Sequence, residues 1–382
     1  MPTYERPAGS LISYMSDKVK AGGGLNLAQG LPGFPPPPEL TDILKELSDQ
    51  PVHQYAPGRG DNDLRDILPT LFPGGPARDQ FIVTNGATEA ITLTYLYLSR
   101  REAQPFSALA FEPVYESYRN LPQIFGNHFV AFDIGEGLFG REEAFRQVVR
   151  DQQVKIVFVS SPGNPLGRVW RRDELERLAA LSDELDFSLI VDGVYREIYF
   201  GEQPWLPTDR ISPRLFYADS FSKTLSITGW RVGFLAAHPS HLAALRTIHD
   251  YTGLSSPSVL QKAIARYLAA HDNGAAYLAA ARRTVGTSFV ALKKMLTALG
   301  FRIPPIDGGY FIWAELPEGF DDGLAFAEEL YAQEKLAAVP GIHFSDAGVR
   351  FVRFNIAKPL ADIEEAARRI EKFVRTGRLS GG

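Results

Sequence analysis

The residues best equipped for chemistry stand together in Ser220-Phe221-Ser222-Lys223, with Gly229-Trp230-Arg231-Val232-Gly233 shortly after. A lysine amine forms a Schiff base with an aldehyde. Hydroxyls and the N–H fork of an arginine hold a dianionic phosphate. One short loop therefore offers both handles of pyridoxal 5'-phosphate, whose aldehyde and phosphate lie on opposite sides of one ring. Ser220, Ser222, Lys223 and Arg231 are the residues that would hold them. Taken alone, the same letters describe a surface lysine in a hydroxyl-rich loop. The rest of the chain has to decide.

The elements around that loop alternate. Apolar runs read as strands at Phe81–Thr84, Ser107–Phe111, Lys155–Ser160, Ser188–Val191, Leu215–Ala218 and Phe234–Ala237. Helical spacing separates them, most clearly over Arg172–Leu185, Ser240–His249 and Val259–His271. Continuously apolar strands between helices argue an α/β fold with a mainly parallel sheet covered on both faces, in three layers. Two of the strand ends carry further chemistry. Phe81–Thr84 runs into Asn85-Gly86-Ala87-Thr88, a strand, glycine turn and helix start, so Gly86, Ala87 and Thr88 form a cradle for phosphate. Ser188–Val191 runs into Asp192, a carboxylate at the C-terminal end of a strand, where sheet ligands bind. Beyond a long helix from Gly274 to Leu299 the rhythm changes. Gly308-Gly309-Tyr310-Phe311-Ile312-Trp313 enters a strand, Val339–Phe344 reads as a turn and a strand, and Arg350–Ile356 as another. The expected division is an N-terminal segment over 1–45 that joins a smaller α+β domain, a large domain over 46–280, and the rest of the smaller domain over 281–382.

Composition bounds the reading. The chain has 382 residues, 45% hydrophobic and 22% charged, with a net charge of −5. Neither a nucleic-acid footprint nor a membrane partner is expected from that balance. There is no cysteine, so thiolate metal sites and cysteine nucleophiles are excluded. His238 and His241 have no grouped partner, and no metal site is expected. Met1–Arg6 lacks a basic start before an apolar core, and no apolar run approaches the ~20 residues of a membrane span. A cytoplasmic location is the expectation.

These motifs, in this order, resemble the fold-type I, pyridoxal-phosphate-dependent aminotransferases of class I/II, from about Asn26 to Ala357 of the chain. The glycine–aromatic strand and the Arg353-Phe354 strand look most like the glutamine, kynurenine and methionine aminotransferase branch. The resemblance implies amino-acid and 2-oxo-acid substrates and a homodimer. It implies Gly30 beside the substrate carboxylate, and Tyr55 reaching the partner subunit's cofactor phosphate. Tyr115 would stack on the cofactor ring. Asn164 and Tyr195 would bond its phenolic oxygen, Asn164 also orienting the substrate. Asp192 would face the ring nitrogen. Arg353, rather than Arg350, would take the substrate carboxylate in a bidentate contact. Lys223 would hold the cofactor and act as general base. Leu254 and Ser255 would lie near the neighbour's pocket. The chain departs from the family pattern at Pro36, Ser161, Leu166 and Gly193, the last where glutamate is common. Two other outcomes fit parts of this pattern. One is a cysteine-conjugate β-lyase using the same proton removal. The other is a regulator with an aminotransferase-like ligand-sensing domain, which the acidic charge and the short stretch ahead of Asn26 argue against.

Overall fold

A computed structural model describes residues 4–102, 105–135 and 137–379; Met1–Thr3 of the N-terminal reading and residues 380–382 of the expected smaller domain lie outside them. A seven-stranded sheet forms the centre: β1 (Phe81–Thr84), β2 (Ser107–Phe111), β3 (His128–Phe132), β4 (Val154–Ser160), β5 (Ser188–Asp192), β6 (Leu215–Ser220) and β7 (Gly233–Ala236). Their order is β1-β7-β6-β5-β4-β2-β3. Only β7 runs against the others. The sheet is mainly parallel, as the apolar runs predict.

Alternation along each strand builds the layers. Val157 and Val159 of β4 and Leu189 and Val191 of β5 point into one core, with Leu175, Leu178 and Leu181 from the Arg172–Leu185 helix. Ile156, Phe158 and Ile190 point into the opposite core, with Ile91, Tyr95 and Leu98 from the Ala87–Ser99 helix. A period of two therefore divides these strands between two helical layers, so the central strands are covered on both faces and are mostly apolar.

A second core gathers around a three-stranded antiparallel sheet of β8 (Phe311–Glu315), β9 (Val339–Pro340) and β10 (Phe351–Asn355), ordered β9-β10-β8. Ile363, Ala366, Ile370 and Phe373 of the last helix recur every three or four residues and cover it. The Ala275–Ala298 helix joins the two cores. Tyr277 packs against the central one, while Val285, Phe289, Leu292 and Leu296 lie in the second. The Pro38–Ser48 helix spans the expected boundary at residue 45, and its Leu40 and Leu47 pack into the central core.

One expectation fails locally. Val339–Phe344 holds its strand and turn in the reverse order: pairing ends at Pro340, and Gly341–His343 then coils into a 3-10 turn closed by Phe344 N–H on the Gly341 carbonyl at 2.9 Å. Proline has no N–H to extend a ladder. Gly341 lies so close to the Gly348 carbonyl, 2.4 Å from where a Cβ would stand, that the chain turns there. Among the described residues no helix is long and apolar enough to cross a membrane.

Candidate active site

The C-terminal ends of the parallel strands share one edge of the sheet, and the site is built there. Ser160 of β4 and Asp192 of β5 are directly paired, and Asp192 is paired with Ala218 of β6. The chain leaves β6 through the one-turn helix Phe221–Thr224, which carries Lys223. β7 is antiparallel, so its first residue, Gly233, lies at the same edge, opposite Ser220 and Thr84. Arg231 therefore stands beside the turn that opens the Ala87–Ser99 helix. Its Nη2 donates to the Asn85 carbonyl at 3.1 Å. Gly86 has φ +84, a conformation that residues with side chains rarely adopt, and a Cβ there would also push on that Nη2, 2.6 Å away.

These elements enclose a cavity of about 450 Å³, within the usual range for small-molecule sites. Gly30, Ala87, Thr88, Tyr115, Asn164, Asp192, Tyr195, Ser220, Ser222, Lys223, Arg231 and Arg353 all line it. Two expected residues do not. Gly86 sits behind Arg231. Tyr55 is 82% exposed on the outer surface, in a region that also carries the exposed Tyr251 and Leu254.

Two carbonyl clamps aim the lysine. Asn355 Nδ2 donates to the carbonyls of Gln29 at 2.7 Å and Leu31 at 2.8 Å, which fixes the peptide between them. The Gly30 carbonyl then accepts from Lys223 Nζ at 2.5 Å. Burial draws the Lys223 amine down to about 8, and the Arg353 and Arg231 charges add to this while Asp192 opposes it.

Asp192 is buried. Its Oδ2 accepts from Tyr118 Oη at 2.6 Å, and its Oδ1 from the Val194 N–H at 3.0 Å. Burial holds its carboxyl above the ordinary range, against the pull of those two bonds and of Lys223. Tyr195 is raised by burial as well, packed edge-on against Tyr310 and Phe311.

Arg353 is 1% exposed. Its guanidinium is stacked between the rings of Phe311, at 4.0 Å, and Phe344, at 4.7 Å. Nη1 donates to Asn164 Oδ1 at 2.8 Å and Nη2 to the Ala28 carbonyl at 2.5 Å. Burial lowers it to about 10, with Tyr195, Glu116 and Tyr115 pulling the other way. Its Nε is buried without a partner. A buried cation bonded only to neutral acceptors, with an orphan donor, fits an incoming carboxylate.

The donor set also fits pyridoxal phosphate. Lys223 Nζ is drawn toward neutrality. The N-terminus of the 13-residue Ala87–Ser99 helix, with Ser220, Ser222 and Arg231, suits the phosphate. A buried carboxylate that favours a cationic neighbour suits a ring nitrogen.

Sequence reasoning missed Tyr118, Glu116, Asn355, Thr228 and Gly229. Tyr118 stands three residues after Tyr115, across the first turn of a helix, and that spacing was the one available signal. For Glu116 and Asn355 none existed, since their partners come from distant segments.

The Aminotransferase class I and II family model matches residues 23–370. A probable N-succinyldiaminopimelate aminotransferase of Mycobacterium tuberculosis is 28% identical, covering 95% of this chain and 96% of its own. An aspartate aminotransferase of Thermotoga maritima is 28% identical, covering 92% of each. The solved structure of the M. tuberculosis N-succinyldiaminopimelate aminotransferase superposes with a TM-score of 0.86, over 97% of this chain and 99% of that one. With the family's lysine, aspartate and arginine motifs converging on one cavity, the chain belongs to the class I and II aminotransferases, which are pyridoxal-phosphate enzymes.

Proposed function

We propose that this transaminase acts, as a cytoplasmic homodimer, on L-amino acids with apolar, aromatic, glutamine-like or methionine-like side chains, in the manner of the glutamine, kynurenine and methionine aminotransferases. One observation carries the substrate class. The only cations lining the cavity among the described residues are Lys223, Arg231 and Arg353. Each is assigned, to the cofactor amine position, the phosphate and the substrate α-carboxylate, and none is left for a carboxylate on the substrate side chain.

In this reading Arg353 takes the α-carboxylate, with Asn164 and Gly30 beside it. Phe311 and Phe344 exclude water from the guanidinium, which strengthens the contact. Lys223 Nζ would take the Cα proton and return it to the cofactor's aldehyde-derived carbon, across the shared nitrogen. An amine with its pKa drawn toward neutrality suits both directions of that transfer. Asp192, held by Tyr118 and Val194, would keep the ring nitrogen protonated, and Tyr195 would donate to the phenolic oxygen. Pyridoxal phosphate, when bound, supplies the electron sink and carries the amino group between substrates. The segment up to about residue 45 and the part after about residue 280 act as the smaller domain that closes on substrate. Tyr55 serves the partner subunit.

A panel of amino donors with two 2-oxo-acid acceptors tests the reading. Apolar, aromatic or glutamine-like donors should lead, and Lys223→Ala should abolish turnover. Aspartate as the best donor would overturn the substrate class. Pyruvate and ammonia released without an acceptor would select β-elimination.

A further inference from the structure

We infer that Glu116 reads the substrate side chain, favouring chains that end in a hydrogen-bond-donating nitrogen over chains that end in a carboxylate. This rests on the aminotransferase reading of the site above.

Glu116 is the first residue of the Glu116–Ile124 helix and lines the main cavity together with Arg353 and Tyr115. It also lines a smaller, mostly apolar hollow of about 250 Å³ that runs along Ser117, Asn120, Leu121 and Ile124. The two spaces share Thr88, Ile91, Tyr115 and Glu116. A side chain leaving the Cα of a substrate anchored at Arg353 has this extension available, and Glu116 stands at its entrance.

The carboxylate is held in place from two distant parts of the chain. Ser10 Oγ donates to its Oε1 at 3.1 Å. His343 Nε2 lies 3.0 Å from its Oε2. Burial alone would raise its pKa, but His343, Ser10 and the Arg353 charge hold it below the usual carboxylate range. An ionised carboxylate offers about four acceptor positions. Ser10 occupies one, the His343 ring lies against Oε2, and the rest are open to a ligand. The other carboxylate in the lining, Asp192, is taken by Tyr118 and Val194. A substrate amide or amine therefore finds an acceptor fixed in advance, whereas a second carboxylate meets a like charge and no free cation.

The experiment compares holoenzyme rates for L-glutamine and L-glutamate, which match in length and differ in the terminal donor, with 2-oxobutanoate as acceptor and L-alanine as reference. The expected kcat/KM ratio of glutamine to glutamate is about 10- to 100-fold, the span of a charge-assisted hydrogen bond, and it should lie mainly in KM. Glu116→Gln should collapse that ratio. Alanine is too short to contact the reader. Turnover of alanine with equal turnover of glutamine and glutamate overturns the inference alone. A ratio unmoved by Glu116→Gln overturns it too. Amino-group transfer from none of the three overturns the underlying reading and this inference with it. Should that variant fold poorly, Glu116→Asp, which draws the carboxylate back by one methylene, should lower the ratio instead, and an unmoved ratio there overturns the inference.

Discussion

Replacing Tyr118 by Phe removes one oxygen and leaves the packing nearly intact. The ring stacks on Phe158 at 5.0 Å with planes 5° apart, and a phenylalanine keeps that contact. What disappears is the 2.6 Å bond from Tyr118 Oη to Asp192 Oδ2, leaving Asp192 with the Val194 N–H. A buried hydrogen bond to a charged acceptor is worth about 1.5–3 kcal/mol. If that stabilisation acts on the ionised carboxylate facing the ring nitrogen, kcat should fall by about 10- to 100-fold. The pH profile gives the sign. Burial already raises Asp192, while the Tyr118 bond pulls the other way. Removing that bond raises it further. The working form is the carboxylate, so activity is lost as pH falls through the folded pKa, and the acid limb should move to higher pH in the variant. Initial rates across about pH 5 to 9, with a thermal unfolding control, separate this from simple destabilisation. A kcat within about twofold of wild type and an unmoved acid limb would refute the role given to Tyr118.

Three further tests probe other parts of the site. Arg353→Lys exchanges a planar fork for a point charge, so KM for amino acid and oxo acid should both rise by about 30- to 100-fold, with kcat changed less; unchanged KM values would remove Arg353 from carboxylate binding. In the apoprotein, trapping of the Lys223 amine by a small aldehyde should increase through about pH 8 rather than near 10.5, and Arg353→Gln should move that midpoint up. Since the folded value lies below the unfolded one, the unfolded chain binds the extra proton in that window, and the Lys223 contribution to stability grows as pH rises through it. Gly193→Ala would place a Cβ 2.0 Å from Tyr217 Oη; urea unfolding should show a loss of about 1–3 kcal/mol, partly restored by adding Tyr217→Phe, and equal stability of all three proteins would contradict the clash.

Much of the site was legible because its residues sit at strand ends, where short motifs and apolar runs coincide. Asp192 ends β5, Asn164 follows β4, and Lys223 follows β6, so the local pattern that marks each strand also places its residue on the shared edge. What stayed hidden depends on pairs far apart in the chain. Beyond its spacing from Tyr115, nothing in the letters around Tyr118 distinguishes a core tyrosine from the donor to a carboxylate 74 residues away. Glu116 has the same difficulty, being held by Ser10 and His343. At Val339–Phe344 the apolar pattern was real, since those residues are buried apart from the half-buried Ile342, but burial does not fix the backbone path.

Gly193 joins these two cases, because it was visible in the sequence as a departure and explicable only in three dimensions. The position follows Asp192 directly, and its N–H donates to the Ala218 carbonyl on the neighbouring strand. The space a side chain needs is taken by Tyr217, whose Oη donates to Asp219 Oδ2 at 2.8 Å. Arg196 Nε donates to the same oxygen at 2.8 Å. Burial raises Asp219 to about 6, while the Arg196 charge holds it down. Asp219 in turn precedes Ser220, whose N–H it accepts at 2.6 Å. The glutamate common in the family at position 193 is thus incompatible with a buried tyrosine–aspartate–arginine network under the cofactor lysine loop. Glycine at position 193 leaves room for Tyr217, and through it for the carboxylate that holds the Ser220 N–H at the start of that loop.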